Sequence, residues 1–346
     1  MNAAQSKPQQ PPARWWHRWI RTPAELRAMG VVGINMRNAN YLLPNNPRRL
    51  YGLVDDKLQT KALAEARGIS VPKTYGVIRS PMDMAHLESF LADQESFVIK
   101  PARGSGGKGV LVIDSRRDGL FHKPSGVALT PSELRYHVSN ILAGLFSLGG
   151  NRDCAIIEYR VRPVRLLTRI SHQGAPDIRL VMLHGYPVMA MLRAATKESD
   201  GRANLHQGAL GIGIDLATGR TIRAVHHGRF VTHHPDLKLN LIGLQLPAWD
   251  KILEIAVTCQ EMTGLGYLGV DLMIDESMGP LMIEVNARPG LSIQMANGVG
   301  LLRRLEPVVE QHRLHPKASR AEKIAYSVGH FAVGHELPPL QELAPE

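Results

Sequence analysis

Two stretches of this sequence hold residue types that can do chemistry. In LMIEVNARPG, residues 281–290, a carboxylate and a carboxamide stand two positions apart, at Glu284 and Asn286. Side chains two apart on a strand share a face, so both can lend oxygen to one hard cation. Upstream, LGVDLMID at 268–275 is an apolar strand interrupted by Asp271, a third oxygen source for the same ion. Such ligands suit magnesium, or manganese in its place, holding nucleotide phosphates. The plainer alternative is two strands with solvated acidic residues. The second stretch, FVIKPARGSGGKGVLV at 97–112, reads as strand, glycine-rich turn, strand. Lys100 ends the first strand where its ammonium can reach phosphate. Gly104, Ser105, Gly106, Gly107 and Gly109 let the backbone bend with its amides exposed, as in an anion-binding nest. Lysine ahead of the glycines excludes a Walker loop, and a strand in place of the following helix excludes a dinucleotide fingerprint. A flexible hairpin is the alternative.

Elements of regular spacing must position these stretches. DDKLQTKALAEAR at 55–67 has helical composition and stops before Gly68, with Pro72 beyond it. Strands over 71–78 and 97–100 flank a helix near 82–91, making a small lobe that carries the glycine loop, and a helix over 131–148 follows. Strands at 155–160, 178–183, 187–194 and 210–215, separated by turns such as His184-Gly185 and Thr218-Gly219, predict an antiparallel sheet. An amphipathic helix at 250–263 precedes the Asp271 strand, and a short one at 298–305 follows the Glu284 strand. Beyond Pro316 the chain reads as helical at best, then proline-rich. The divisions are therefore 1–21, basic, tryptophan-rich and disordered at its start; 22–54, a short helical segment; 55–150, the small lobe; 151–310, the large lobe; and 311–346, a tail.

Composition narrows the class. With 346 residues, 44% of them hydrophobic, the chain can bury a large core in two or three lobes. A net charge of +10 favours anionic partners, whereas an aromatic content of 5% and scattered basic residues offer no stacking platform for nucleic acid. Cys154 and Cys259 read as buried free thiols in a reducing cytoplasm. No apolar run approaches a membrane span; Trp15, Trp16 and Trp19 among arginines are expected to pack onto their own domain or a dimer mate, with an anionic lipid surface or a docked partner as the alternative. His226, His227, His233 and His234 invite a zinc reading, but no cysteine or carboxylate stands at ligand spacing, so solvated loop histidines are expected.

Taken together, the motifs over 55–304 resemble the ATP-grasp superfamily, most closely its RimK-type branch of carboxylate–amine ligases. The resemblance implies an α+β fold in which two lobes grip ATP between antiparallel sheets. It implies that Lys57 and Lys100 lie near the phosphates and that Glu158-Tyr159, in AIIEYRV, meet adenine. Asp177 would belong to the nucleotide site and Arg179 to the reacting carboxylate or phosphate. Arg193, with Arg202, Asn204 and His206 in GRANLHQG, would close over the terminal phosphate, and Asp271, Glu284 and Asn286 would hold the metal. His206 is also a candidate acceptor for the amine's proton, and Arg288 could steady phosphate or pair with a structural carboxylate. Two features depart from the RimK pattern: the segment ahead of residue 55 is too short for a typical domain, and the basic stretch RVRPVRLLTRISHQGA at 160–175 lengthens a connection. The stretches GINMRNANY and LVDDK are similar to alpha-L-glutamate ligase-like proteins.

The reaction so implied is ADP-forming amide synthesis through an acylphosphate, with glutamate as the suspected amino-acid donor and a carboxylate acceptor such as an acidic peptide or protein. A membrane-protein partner, a homo-oligomer and a cytoplasmic location, peripheral to the inner membrane face, accompany that reading. An ATP-sensing interaction module without ligase turnover is the alternative.

Overall fold

Short apolar runs separated by turns form fourteen strands among the described residues, and those at the centre of the large sheet are buried almost throughout. The computed structural model describes residues 22–104 and 106–333. The tryptophan-rich segment 1–21, Ser105 and the proline-rich end at 334–346 lie outside the described residues.

The first sheet has the order β1-β7-β2-β3, with β1 at Thr74–Ile78, β7 at Ala155–Tyr159, β2 at Phe97–Pro101 and β3 at Leu111–Ile113, all antiparallel. Because β7 inserts between β1 and β2, this sheet takes one strand from beyond residue 151, and the sequence division at that point does not separate the two sheets. Its apolar face, with Phe97, Ile99, Ile113 and Ile157, packs against Leu134, Val138 and Ile141 of the helix Pro131–Leu142. That helix opens with a capping box, Thr130 with Glu133, and Pro131 at its first position. It ends at Leu142 rather than 148, because Gly144 turns into the left-handed region at φ +85°, tight against the backbone of Asn151. A small sheet of β4 (Ser115–Arg117), β5 (Leu120–His122) and β6 (Ala128–Leu129) flanks this lobe.

The second sheet has seven antiparallel strands in the order β12-β11-β10-β9-β8-β13-β14. They are β12 (Arg229–Val231), β11 (Thr221–His226), β10 (Leu210–Ile214), β9 (Tyr186–Ala194), β8 (Asp177–Leu183), β13 (Tyr267–Asp275) and β14 (Gly279–Asn286). The helix Trp249–Thr263 buries Ile252, Leu253, Ala256 and Cys259 in its core. After β14 the chain forms two helices instead of the single one expected at 298–305, Ile293–Asn297 and Leu302–Leu314, divided at Gly298 with φ +65°. The tail is more ordered than its composition suggests. Ser319 and Glu322 cap a helix over Arg320–His330, and Tyr326 meets Tyr186 edge-on at 5.6 Å. The segment ahead of residue 55 is stitched to this lobe: Asn46 pairs with the backbone of Tyr267 at 2.6 and 2.9 Å, and Arg37 donates to the Pro289 carbonyl at 2.9 Å. In the long 160–175 connection, Leu167 and Ile170 are fully buried, which holds that basic stretch onto the core. No helix among the described residues is long and apolar enough to cross a membrane.

Candidate functional site

Register brings the polar residues of four neighbouring strands onto one sheet face. Asp177 of β8 stands opposite Arg193 of β9, Arg179 opposite Asp271 of β13, and Asp271 opposite Glu284 of β14, with Gly269 opposite Asn286. Directly opposed residues share a face, so a stripe of charge crosses strands β9, β8, β13 and β14. A bulge in β13–β14 pairing directly after Asp271 marks the stripe's edge, as bulges often do beside sites.

Within the stripe the charges are paired. Arg179 donates to both oxygens of Asp271, at 2.7 Å from Nε and 2.5 Å from Nη2. Arg193 forks onto Asp177 and reaches Asp271 at 3.0 Å, and the Asn286 amide donates to the same Asp271 oxygen at 3.1 Å. Burial alone would raise the Asp271 carboxyl; the two guanidiniums outweigh it and hold its pKa at about 2. Asp177 and Asp271 in turn push Arg193 above its usual value despite its burial.

Lys57 links this stripe to the glycine loop. It opens the helix Lys57–Ala66, whose N-cap is Asp56, and its ammonium donates to the Gly104 carbonyl at 2.6 Å while lying 3.2 Å from Glu284 Oε1. Asp55, Gly104, Glu284, Asn286 and Arg288 line the resulting cleft of about 120 Å³. The loop is braced at its base, where the Arg103 amide and the Ser147 hydroxyl both donate to Asp153, at 3.0 and 2.6 Å. Gly106, Gly107 and Gly109 take φ of +63°, +74° and +75°, values that disfavour any other residue. At Gly109 a Cβ would also stand 2.6 Å from the Phe146 ring.

Lys100 and Glu158 form a separate buried group with Lys61. Glu158 accepts from Lys100 at 2.5 Å and Lys61 at 2.8 Å, and Lys61 donates also to the Pro72 carbonyl at 2.6 Å. Burial would raise the Glu158 carboxyl, and the two ammoniums instead hold it below its usual range. Tyr159 points its hydroxyl to Asp275 at 3.0 Å. Arg202 is exposed, Asn204 caps its own short turn by accepting from the His206 amide at 3.1 Å, and His206 lines a second hollow of about 310 Å³ with His227, Ser292 and Met295. Arg288 stacks over Tyr51 at 4.7 Å. The loop histidines are not uniformly solvated: His234 is completely buried, accepting the amides of Asp236 and Leu237 at Nδ1, so its ring satisfies backbone donors of its own loop.

Sequence reasoning missed Lys61, Asp55 as part of the cleft, and Asp153. Lys61 left one signal, its place four residues after Lys57 on the same helix face; Asp153 left none.

The donor set suits a hard cation. Glu284 and Asn286 supply oxygen on one face, and Glu284 keeps one carboxylate oxygen without an ion-pair partner among the described residues. Asp271 is oxygen-bearing too, but both of its oxygens already accept from Arg179, Arg193 and Asn286.

The sequence pattern of the family "Sugar-transfer associated ATP-grasp" matches residues 36–310. A protein called probable alpha-L-glutamate ligase from Thioalkalivibrio sulfidiphilus (strain HL-EbGR7) is 27% identical over 306 residues, 87% of this chain and 79% of that one. One of the same name from Enterobacter sp. (strain 638) is 25% identical over 258 residues, 74% of this chain, and the chain spans only 64% of its length. Among solved structures, that of the D-cycloserine synthetase DcsG is similar at 18% identity and a TM-score of 0.48, over 77% of this chain and 73% of that one.

Proposed function

This chain belongs to the sugar-transfer associated ATP-grasp family, and on that premise we propose that it is an ATP-dependent carboxylate–amine ligase that adds glutamate, or another amino acid, to a carboxylate acceptor. The observation that carries the proposal is the charged stripe Arg193–Asp177–Arg179–Asp271–Asn286, joined through Glu284 and Lys57 to the glycine loop. In this reading an acceptor carboxylate oxygen attacks the terminal phosphorus of ATP, the bond to the bridging oxygen breaks, and ADP leaves. The donor amine then attacks the acyl carbon and loses a proton, and phosphate departs.

The chain's contribution is electrostatic and positional. Carboxylates resist amines because oxide is a poor leaving group, and phosphorylation removes that obstacle. Lys57, Arg179 and Arg193 set positive charge beside the cleft, where it offsets charge on a moving phosphoryl group without reorganisation. Glu284 and Asn286 would hold magnesium, with Asp271 as a third ligand once its guanidinium partners turn to anionic substrate. Bound there, the ion would neutralise phosphate charge. The glycine loop, closing over the nucleotide, would keep water from an acylphosphate. The relatives' name, probable alpha-L-glutamate ligase, supports glutamate as the donor, and the family's description supports an acceptor connected with sugar transfer.

The test is ADP release from ATP and magnesium with panels of amino acids and carboxylate acceptors, followed by intact mass of the products. ADP formation that requires both partners, with a mass increment equal to one amino-acid residue, supports ligation. Nucleotide binding without acceptor-dependent turnover across the panel would replace it with the nucleotide-sensing alternative.

A further inference from the structure

The four loop histidines fall into different environments. His234 has no lone pair to offer, since its Nδ1 accepts two amides and its Nε2 meets the Ala195 carbonyl at 3.1 Å; His233 Nδ1 pairs with Thr232 Oγ1 at 2.9 Å. His226 and His227 stand beside a carboxylate from a distant part of the sequence. Glu198 Oε2 lies 2.8 Å from His227 Nε2 and 4.0 Å from His226 Nε2, and one ligand atom from each of the three lies within 4.8 Å of the others. We propose that Glu198, His226 and His227 form a binding site for a divalent transition-metal ion of the zinc class, separate from the nucleotide cleft.

The spacing is close to what the ion needs. Zinc bonds of about 2.0–2.1 Å in a tetrahedron put ligand atoms roughly 3.3–3.4 Å apart, and the 2.8 and 4.0 Å from Glu198 to the two rings straddle that value. Two imidazoles and a carboxylate select zinc-like ions over magnesium or calcium. The ligands are also held in place by one residue. Gly208 takes φ +90°, a Cβ there would stand 2.9 Å from Glu198 Cδ, and the Gly208 carbonyl meets His226 Nε2 at 3.0 Å. The absence of a side chain at 208 thus admits Glu198, while the carbonyl seats the His226 ring beside it before the ion arrives. On metal binding, His226 Nε2 exchanges that hydrogen bond for a coordinate bond. His227 occupies the first position of a two-residue turn between β11 and β12, with φ +48° ahead of Gly228 at +71°. Turn chemistry ordinarily gives that position to Asn, Asp or Gly. His227 also lines the hollow of about 310 Å³, which has room for water to complete the coordination.

The site would act as a clasp. Glu198 belongs to the connection between β9 and β10 that carries Arg202, Asn204 and His206, whereas the two histidines belong to the β11–β12 hairpin. A bound ion would tie that connection to the hairpin with no contribution from nucleotide.

The experiment uses the full untagged chain, stripped with a chelator and titrated with zinc against a chromophoric competitor, with cobalt absorption as a second readout. The expected result is one tight equivalent. Glu198→Ala and His227→Asn, the latter chosen because Asn tolerates the left-handed turn, should each weaken it by about tenfold or more, and His233→Asn should leave it unchanged. Zinc should also slow proteolysis within 195–209 in the wild type and not in the double variant Glu198→Ala/His227→Asn. Absence of a stoichiometric zinc equivalent in the wild type, or wild-type affinity in that double variant, would overturn the proposal.

Discussion

Arg179 holds Asp271 by both carboxylate oxygens, at 2.7 and 2.5 Å, from a directly opposed position on the neighbouring strand. Asp271 is only 3% exposed, so this pair sits where water cannot take over from a missing partner. A residue expected to bind metal is thus at rest inside an ion-pair network.

Asp271→Asn should therefore destabilise the fold as well as impair catalysis, because Arg193 keeps Asp177 while Arg179 loses its partner. Removing one member of a buried pair costs about 3–5 kcal/mol, measurable as a lowered urea midpoint with an unchanged slope. The pH dependence has a definite sign. The folded-state pKa of Asp271, about 2, lies below the ordinary 3.8, so the stabilisation that Asp271 contributes is present above pH 3.8 and is lost as pH falls towards 2, whereas burial pushes its neighbour Asp177 up and that carboxyl adds none of it. A wild-type acid transition steeper through that window than the variant's is the expected result; parallel curves would refute the pairing.

Lys57 bridges the glycine loop and Glu284, so Lys57→Met should weaken nucleotide binding while leaving the core intact. Calorimetry should register a loss on the order of tenfold to a hundredfold, equivalent to about 1.5–3 kcal/mol for a charged hydrogen bond, with a thermal midpoint close to wild type. An unaltered nucleotide affinity would remove Lys57 from the site.

Glu158 balances two buried lysines at once. Glu158→Gln leaves Lys61 and Lys100 without a counter-charge and should cost about 3–5 kcal/mol. Lys61→Met should cost less, since Lys100 still neutralises the carboxylate. Chemical denaturation of both variants checks the order, and a reversed order would show that Lys100 is not the stronger partner.

Gly106 and Gly109 both take left-handed φ, yet only Gly109 faces a side chain that would block a Cβ. Gly106→Ala should carry strain alone, about 1 kcal/mol, and retain ADP formation. Gly109→Ala should displace Phe146 and remove most turnover. Equal activities would argue against a loop shaped by the Phe146 contact.

Much of this architecture was legible in the residue pattern. Short, nearly continuous apolar runs around 178–194 and 268–286 and the turns at His184-Gly185 and Thr218-Gly219 foretold antiparallel strands, because turn sterics act over a few residues. Glu284 and Asn286 were readable as neighbours on one face for the same reason. The insertion of β7 between β1 and β2 was not readable, since strand order depends on which apolar faces find each other across more than fifty residues.

The sequence by itself determined the residue types of the cleft, the parity that sets Glu284 beside Asn286, and the glycines that permit the loop's left-handed turns. All of these follow from local sterics and strand geometry. Only the tertiary structure decided which cation meets which carboxylate: Arg179 with Asp271, Arg193 with Asp177, and Lys61 and Lys100 with Glu158. Long charged side chains reach several partners within one sequence window, and the choice among them is made by strand register and by the cost of leaving a charge unpaired away from water.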